Sequence, residues 1–177
     1  MRFLFLVFLA LTAFAAGAAE LSNPEERALV DVVRNAQTAY EKGDADAIAD
    51  LTFQPLVAAA GGLDSFKAKL RQGLEQHRQA GLVIESSTIG KPTALVEAGP
   101  YQLCFVPTET LMQAAGKRGK SNSFMVAIRQ SGTMKWELVD GSGVRKQPQI
   151  LKHLIPELPE DLVVPDVKLE LLPPSAK

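Results

Sequence analysis

Cysteine is nearly absent from this chain of 177 residues, where Cys104 stands alone. No intrachain disulfide can form, so the fold must rest on a packed core rather than on cross-links. Histidine is almost as scarce, with only His77 and His153. These residues lie far apart and offer neither H-x-x-x-H nor C-x-x-C spacing, so no metal site and no cofactor is expected. An excess of positive charge is also missing. The 19 Lys and Arg stand against 20 Asp and Glu, for a net charge of −1, which argues against nucleic-acid binding through many phosphate contacts. No G-x-x-x-x-G-K-[ST] loop and no calcium loop occurs. No G-x-S-x-G elbow occurs either, and Ser142 in "DGSGV" lacks the strand–Ser–helix context of one. There is no internal repeat and no second domain.

What is present begins with an address. In "MRFLFLVFLALTAFAAGAAE" one positive charge, Arg2, precedes an uncharged apolar run from Phe3 to Phe14, and the small residues "AAGAA" follow. That is the pattern of a secretory signal peptide over residues 1–19, cleaved after Ala18 or Ala19. The run falls short of the roughly 20 residues of a membrane span, so no stable span is expected after cleavage. The expected location is the periplasm or the outside of the cell. About 158 residues remain after cleavage, the size of one ordinary domain. We place that domain at 20–156 and a Pro-rich tail at 157–177.

"SNPEERALVDVVRNAQTAYEKGD" opens like a helix, with Asn23 as N-cap, Pro24 in the first turn and Glu26 three residues on. Leu29, Val30, Val33, Ala36 and Tyr40 recur at helical spacing, and Gly43 ends the run. Asp44 caps a short helix over "DADAIADL", which Pro55 stops. A short apolar helix precedes Gly61-Gly62. A long helix runs from about Leu63 to Ala80, capped by Asp64 or Ser65. Its face of Leu63, Phe66, Leu70, Leu74 and His77 also carries Gly73. A mid-helix Gly costs about 1 kcal/mol relative to Ala, offset either by a close helix–sheet approach or by space for a ligand.

The texture then changes to short runs rich in β-branched and aromatic residues: "LVIESST", "TALVEA", "YQLCFVP", "NSFMVAIRQ" and "TMKWELVD". "RQSGTMKW" is a hairpin with Ser131-Gly132 at its tip. "MQAAGKRGKSN" reads as a longer loop that confines Lys117, Arg118 and Lys120. "DGSGV" turns the chain after the last of these strands, "PQILKHLIPEL" is a short helix, and "VKLEL" alternates like an edge strand. Helices followed by closely linked strands predict an α+β fold, with N-terminal helices packed on a curved, mostly antiparallel sheet.

The succession of an amphipathic helix, "YEKGDADAIADL", a short apolar helix, a glycine break, a long helix and successive strands resembles the nuclear-transport-factor-2-like, or cystatin-like, cone. The resemblance covers roughly Pro24 to Gly141 and is strongest to small exported bacterial members without assigned activity. It implies a sheet wrapped around helices with a pocket at its open end. It also implies an acid or base with a Tyr in the pocket of the enzymes, and frequent homodimers that pack sheet on sheet.

Candidate pocket residues on this basis are Tyr40, His77, Tyr101, Arg129, Trp136 and Asp140. None falls in a motif that assigns it a catalytic role. His77, at the end of an apolar stripe, is either an acid–base group or a boundary histidine that caps the core. Asp140 shares strand parity with Trp136 and Leu138, yet it also begins the "DGSG" turn, where Asp is common. Trp136 either packs in the core or lends a ligand its stacking face. Cys104 sits in an apolar strand with no cation or His within four residues, which favours a buried small hydrophobe over a reactive thiol. The function expected is that of an exported non-catalytic module that binds a small apolar ligand or an envelope protein. The alternative is a small pocket enzyme performing isomerase- or dehydratase-like acid–base chemistry on an apolar ligand.

Overall fold

The computed structural model describes residues 20–173. The stretch 1–19, expected from its sequence to be a signal peptide, lies outside the described residues. The fold is α+β: helices precede a six-stranded antiparallel sheet that is curved and does not close on itself. Among the described residues, no helix is long and apolar enough to cross a membrane.

Helix α1 (Asn23–Lys42) starts one residue earlier than its sequence suggests, because Ser22 rather than Asn23 is the N-cap. Both residue types can cap and each has a Glu three places on, and in the structure the capping box closes between Ser22 and Glu25. The Glu25 carboxylate accepts from the Ser22 N–H at 2.9 Å and from the Ser22 hydroxyl at 2.6 Å. Gly43 ends α1 in the left-handed conformation, with φ of 70°. Asp44 then caps α2 (Ala45–Leu51) by accepting from the Ala47 N–H at 3.0 Å.

Pro55 does not stop α2. It lies in the first turn of α3 (Gln54–Ala59), where a missing N–H leaves no bond unmade. Gly61 and Gly62 have φ of 98° and 88°, and they turn the chain into α4 (Leu63–Gln79). Neither Asp64 nor Ser65 is its N-cap. That position falls to Gly62, while the Ser65 hydroxyl donates to the Ala60 carbonyl at 3.0 Å.

The strands are β1 (Val83–Ile89), β2 (Val96–Ala98), β3 (Tyr101–Ala114), β4 (Lys117–Gln130), β5 (Glu137–Asp140) and β6 (Lys168–Leu172). The sheet runs β1-β3-β4-β5, with β2 also on β3 and β6 also on β4. The expected loop "MQAAGKRGKSN" is the tip of a long hairpin. Its two-residue turn sets Ala115 at φ 48° and Gly116 at φ 76°, the positive values that match strand twist. All three basic residues placed in that loop are therefore strand residues, and two of them have charged partners. Arg118 grips Glu85 through two nitrogens, and Lys120 pairs with Glu109 at 2.9 Å.

"DGSGV" likewise starts a helix, α5 (Gly141–Lys146), with Asp140 as N-cap accepting from the Gly143 N–H at 3.1 Å. At Gly141 a Cβ would stand 2.2 Å from the Phe124 carbonyl oxygen, so only glycine lets the chain pass there. Helix α6 (Gln149–Leu154) follows.

Both faces of the sheet carry core. On one face Leu29 and Val33 of α1 pack on Cys104, Val106, Ala127 and Leu138. On the other, Leu103, Phe105, Phe124, Val126 and Ile128 meet Phe53, Val144, Leu151, Ile155 and Leu158. The described part of the 157–177 stretch joins this second layer: Leu158 is buried, Leu162, Val164 and Val167 pack beside it, and β6 adds to the sheet. Sheet-on-sheet pairing through that layer would have to displace it. Residues 52–54 run beside β5, where the Phe53 N–H donates to the Leu138 carbonyl at 3.0 Å and shields that edge from other strands.

Candidate functional site

Leu29 and Val33 seat the N-terminal half of α1 on the sheet. Its C-terminal half, α2 and α4 border, with β1, β3 and β4, an open-sided cavity of about 450 Å³. Leu70, Leu74, Ile84, Met112, Met125 and Leu138 give it apolar walls. Across its floor runs a rung of hydroxyls from three paired strands, Ser87 opposite Thr110 and Thr110 opposite Ser121. Ser87 Oγ and Thr110 Oγ1 are 3.4 Å apart. Thr108 and Ser123 repeat the pattern two residues along.

Helix α4 forms the roof and has no buried residue. It is fastened at one end by polar contacts rather than by a core. Lys67 reaches Asp46 at 2.7 Å and Arg71 reaches it at 3.2 Å, and Lys69 donates to the Ala60 carbonyl at 2.8 Å. The hydrogen bonds of Lys67, then of Arg71, hold the Asp46 carboxyl below its ordinary pKa. Exposed pairs of this kind contribute little each. Gly73 sits in the middle of the roof, and a Cβ there would meet nothing within 4 Å. Close helix–sheet packing therefore does not explain this glycine, which borders the open space of the cavity instead.

Three of the six candidate residues meet at this cavity: Tyr40, His77 and Asp140. The Tyr40 hydroxyl and His77 Nδ1 share a hydrogen bond of 2.5 Å. When neutral His77 carries its proton on Nε2, Tyr40 is the donor. Burial first, then the negative charge of Asp140, raises the Tyr40 pKa, so the phenol stays a neutral donor at neutral pH. Asp140 also accepts from the Ser142 hydroxyl, and both residues line the cavity.

Beyond the Tyr40–His77 pair lies an outer cleft of about 570 Å³ that shares Tyr40, Leu74, His77, Leu82 and Ile84 with the inner one. It is bordered by Glu41, Lys42, Arg71, Glu75 and Arg78. The pair thus forms part of the wall between an apolar chamber and a charged one.

The other three candidates are elsewhere. Tyr101 points to the opposite face, where it packs edge-on against Phe53 with ring centroids 5.4 Å apart. Trp136 does share a face with Leu138 and Asp140, but it lies in the core cluster of Leu29 and Val33, where α1 leaves no space. Its Nε1 has no hydrogen-bond partner among the described residues. Arg129 is buried near the start of α1. It stacks 4.6 Å from the Trp136 ring centre, pairs with Glu25 at 2.8 Å and donates to Gln102 at 2.9 Å. Its role is to tie α1 to the sheet.

Cys104 is fully buried, and burial pushes its thiol up to about 12. His153 is exposed on α6. Among the described residues, no group of three or more His, Cys, Asp or Glu could hold a metal ion. The hydroxyl floor is hard to see in the sequence because the glycines and basic residues at the β3–β4 tip resemble a loop. Two-residue alternation of Thr108, Thr110 and Met112, and of Ser121, Ser123 and Met125, is the signal that finds it.

A scan against protein-family models gives no match, and a search of curated proteins gives none. Among solved structures, a crystal structure of a conserved protein from Planctomyces limnophilus DSM 3776 is similar at a TM-score of 0.45, with 16% identity over 66% of this chain and 92% of that one.

Proposed function

We propose that the protein is an exported, non-catalytic binding module whose inner cavity takes a small, largely apolar ligand bearing at least one hydrogen-bonding group. The observation that carries this is the cavity itself: about 450 Å³, apolar walls, and a floor of aligned Ser and Thr hydroxyls. Pockets of a few hundred Å³ with a few convergent polar groups are the usual form of a small-molecule site. The element order that resembles the nuclear-transport-factor-2-like cone supports the same assignment. The apolar run before "AAGAA" supports export.

Native mass spectrometry of the exported protein tests both parts. The expected spectrum shows a chain that begins after Ala18 or Ala19 and carries a bound apolar molecule released on denaturation. A bare chain, together with no thermal shift from a series of single-chain alcohols and acids, would count against ligand binding.

A second reading, a pocket enzyme using acid–base chemistry, draws on one observation: Tyr40, His77 and Asp140 open onto one cavity. Turnover of a bound ligand that disappears in both His77→Ala and Asp140→Asn would favour it over simple binding.

A further inference from the structure

Strand β6 pairs with β4 across all five of its residues, from Arg118↔Leu172 to Asn122↔Lys168. Its other edge meets no strand among the described residues. Natural edges are usually blunted by shortness, by charged side chains such as Lys, or by a bulge, a proline or a covering segment; β6 is short and carries Lys168 and Glu170, so any strand that pairs there must match those charges. β6 has a regular register and no proline, and Leu169 and Leu171 are 65% and 73% exposed. Their ladder partners are Ser121 and Gly119. Ser121 belongs to the cavity floor, so both leucines lie on the cavity face, while Lys168 and Glu170 alternate onto the other.

Charge tells which partner fits. If two copies of β6 pair antiparallel about a two-fold axis, one residue faces its own copy at the centre. Centring on Glu170 or on Lys168 sets like charges face to face, which is unfavourable. Centring on Leu169 sets Lys168 opposite the second copy's Glu170, and the reverse, with leucine against leucine between them. That register also sets Leu169 against its own copy and Leu171 opposite the second copy's Val167 on the cavity face.

We propose that this edge is the self-association surface of the protein, joining two copies β6 to β6 in the register centred on Leu169. One short strand per copy makes a small interface, so the dimer is weak and concentration-dependent.

Analytical ultracentrifugation of the exported chain over the micromolar to millimolar range tests this. The wild-type chain is expected to dimerise reversibly. Lys168→Glu alone and Glu170→Lys alone should each weaken the dimer by about tenfold or more, since each sets like charges across the axis twice. An equimolar mixture of the two variants should regain wild-type association, because opposite charges then face each other again. Glu170 also faces Lys120 within its own chain, so Glu170→Lys strains its own sheet. Leu169→Asp, at an exposed side chain, is the second probe and should abolish the dimer with the circular dichroism spectrum unchanged. A wild-type monomer at millimolar concentration overturns the proposal, as does a mixture no better associated than either variant. Monomers that sediment with anionic phospholipid vesicles would assign the leucines to a lipid surface and overturn it equally.

Discussion

The Tyr40 hydroxyl and His77 Nδ1 meet at 2.5 Å in the wall shared by the apolar chamber and the charged cleft. The bond links the last turns of α1 and α4, two helices that no stretch of core joins at that end. Tyr40 comes from the buried side of this pair and His77 from the exposed side. The hydrogen bond therefore sits where a ligand in either chamber would disturb it.

Tyr40 should titrate above its ordinary value. Burial is the larger cause and the Asp140 charge the smaller. In a Tyr101→Phe background only Tyr40 contributes phenolate absorbance, and adding Asp140→Asn is expected to lower its pKa part of the way back. Asn is as good an N-cap as Asp, so α5 should persist in that variant. The sign for stability follows from the raised folded pKa. The contribution is complete below the unfolded tyrosine pKa of about 10 and is lost as pH rises through the folded one. Urea midpoints should fall as pH rises past the unfolded tyrosine pKa of about 10 and fall less in Tyr40→Phe. A Tyr40 that titrates at the ordinary value and ignores Asp140→Asn would contradict the geometry.

Glu25 should give acid sensitivity at the other end of α1. The hydrogen bonds from Ser22, then the one from Arg129, hold its carboxyl down to about 2. A depressed carboxylate contributes stability that is complete above the unfolded pKa of about 4.3 and is lost as pH falls toward the folded one. Urea unfolding should therefore weaken between about pH 5 and about pH 2, and Glu25→Gln should flatten that dependence. Arg129→Ala should be worse at neutral pH, by about 2–4 kcal/mol, because it strips Glu25 and Trp136 of their partner at a buried site. Equal stability of that variant and the wild type would show that the pair does not tie α1 to the sheet.

Local chemistry was legible in the sequence wherever one residue type had one role. Gly43, Asp44 and the glycine pair fall where their backbone preferences put them, and the stripe Leu70, Leu74 and His77 faces the cavity as its helical spacing requires. The start of α1 slipped by one residue because Ser22 and Asn23 are both good caps. The long β3–β4 hairpin was obscured by its own turn, since Ala115 holds a positive φ without being Gly, Asn or Asp. Losing that hairpin hid the hydroxyl floor and put Arg118 and Lys120 in a loop. Strand parity put Trp136 and Asp140 on one face correctly. Parity cannot tell which part of that face a helix covers, so it does not separate Asp140, at the cavity, from Trp136 and Arg129, which the start of α1 covers.

Cys104 should behave as core. Its thiol is buried and raised to about 12, with the nearby Arg129 charge offsetting burial only in part. Since the thiolate is the reactive species, a thiol reagent should label Cys104 in native protein only as fast as the chain unfolds, and promptly in denaturant. Cys104→Ser is expected to cost about 1–3 kcal/mol, because it buries a hydroxyl among apolar side chains. Rapid labelling of the native chain would place Cys104 at a surface that the packing denies it.

Gly73 offers the sharpest separation of stability from function. In the interior of α4 it costs about 1 kcal/mol relative to Ala, and no neighbour lies within 4 Å of where a Cβ would be. Gly73→Ala should therefore raise stability by about 1 kcal/mol in urea unfolding. Gly73→Phe should fill much of the chamber between Leu70, Leu74 and the sheet, with little loss of stability because the ring enters existing space. If the chamber holds a ligand, Gly73→Phe should emerge from native mass spectrometry without it while Gly73→Ala keeps it. If α4 is instead a structural lid over an idle void, both variants should be stabilised and neither should change what the protein carries. A destabilised Gly73→Ala would mean that the roof approaches the sheet more closely than the cavity allows. The helix weakness at Gly73 would then have its cause in packing, and the ligand-binding proposal would lose the residue that argues for it most directly.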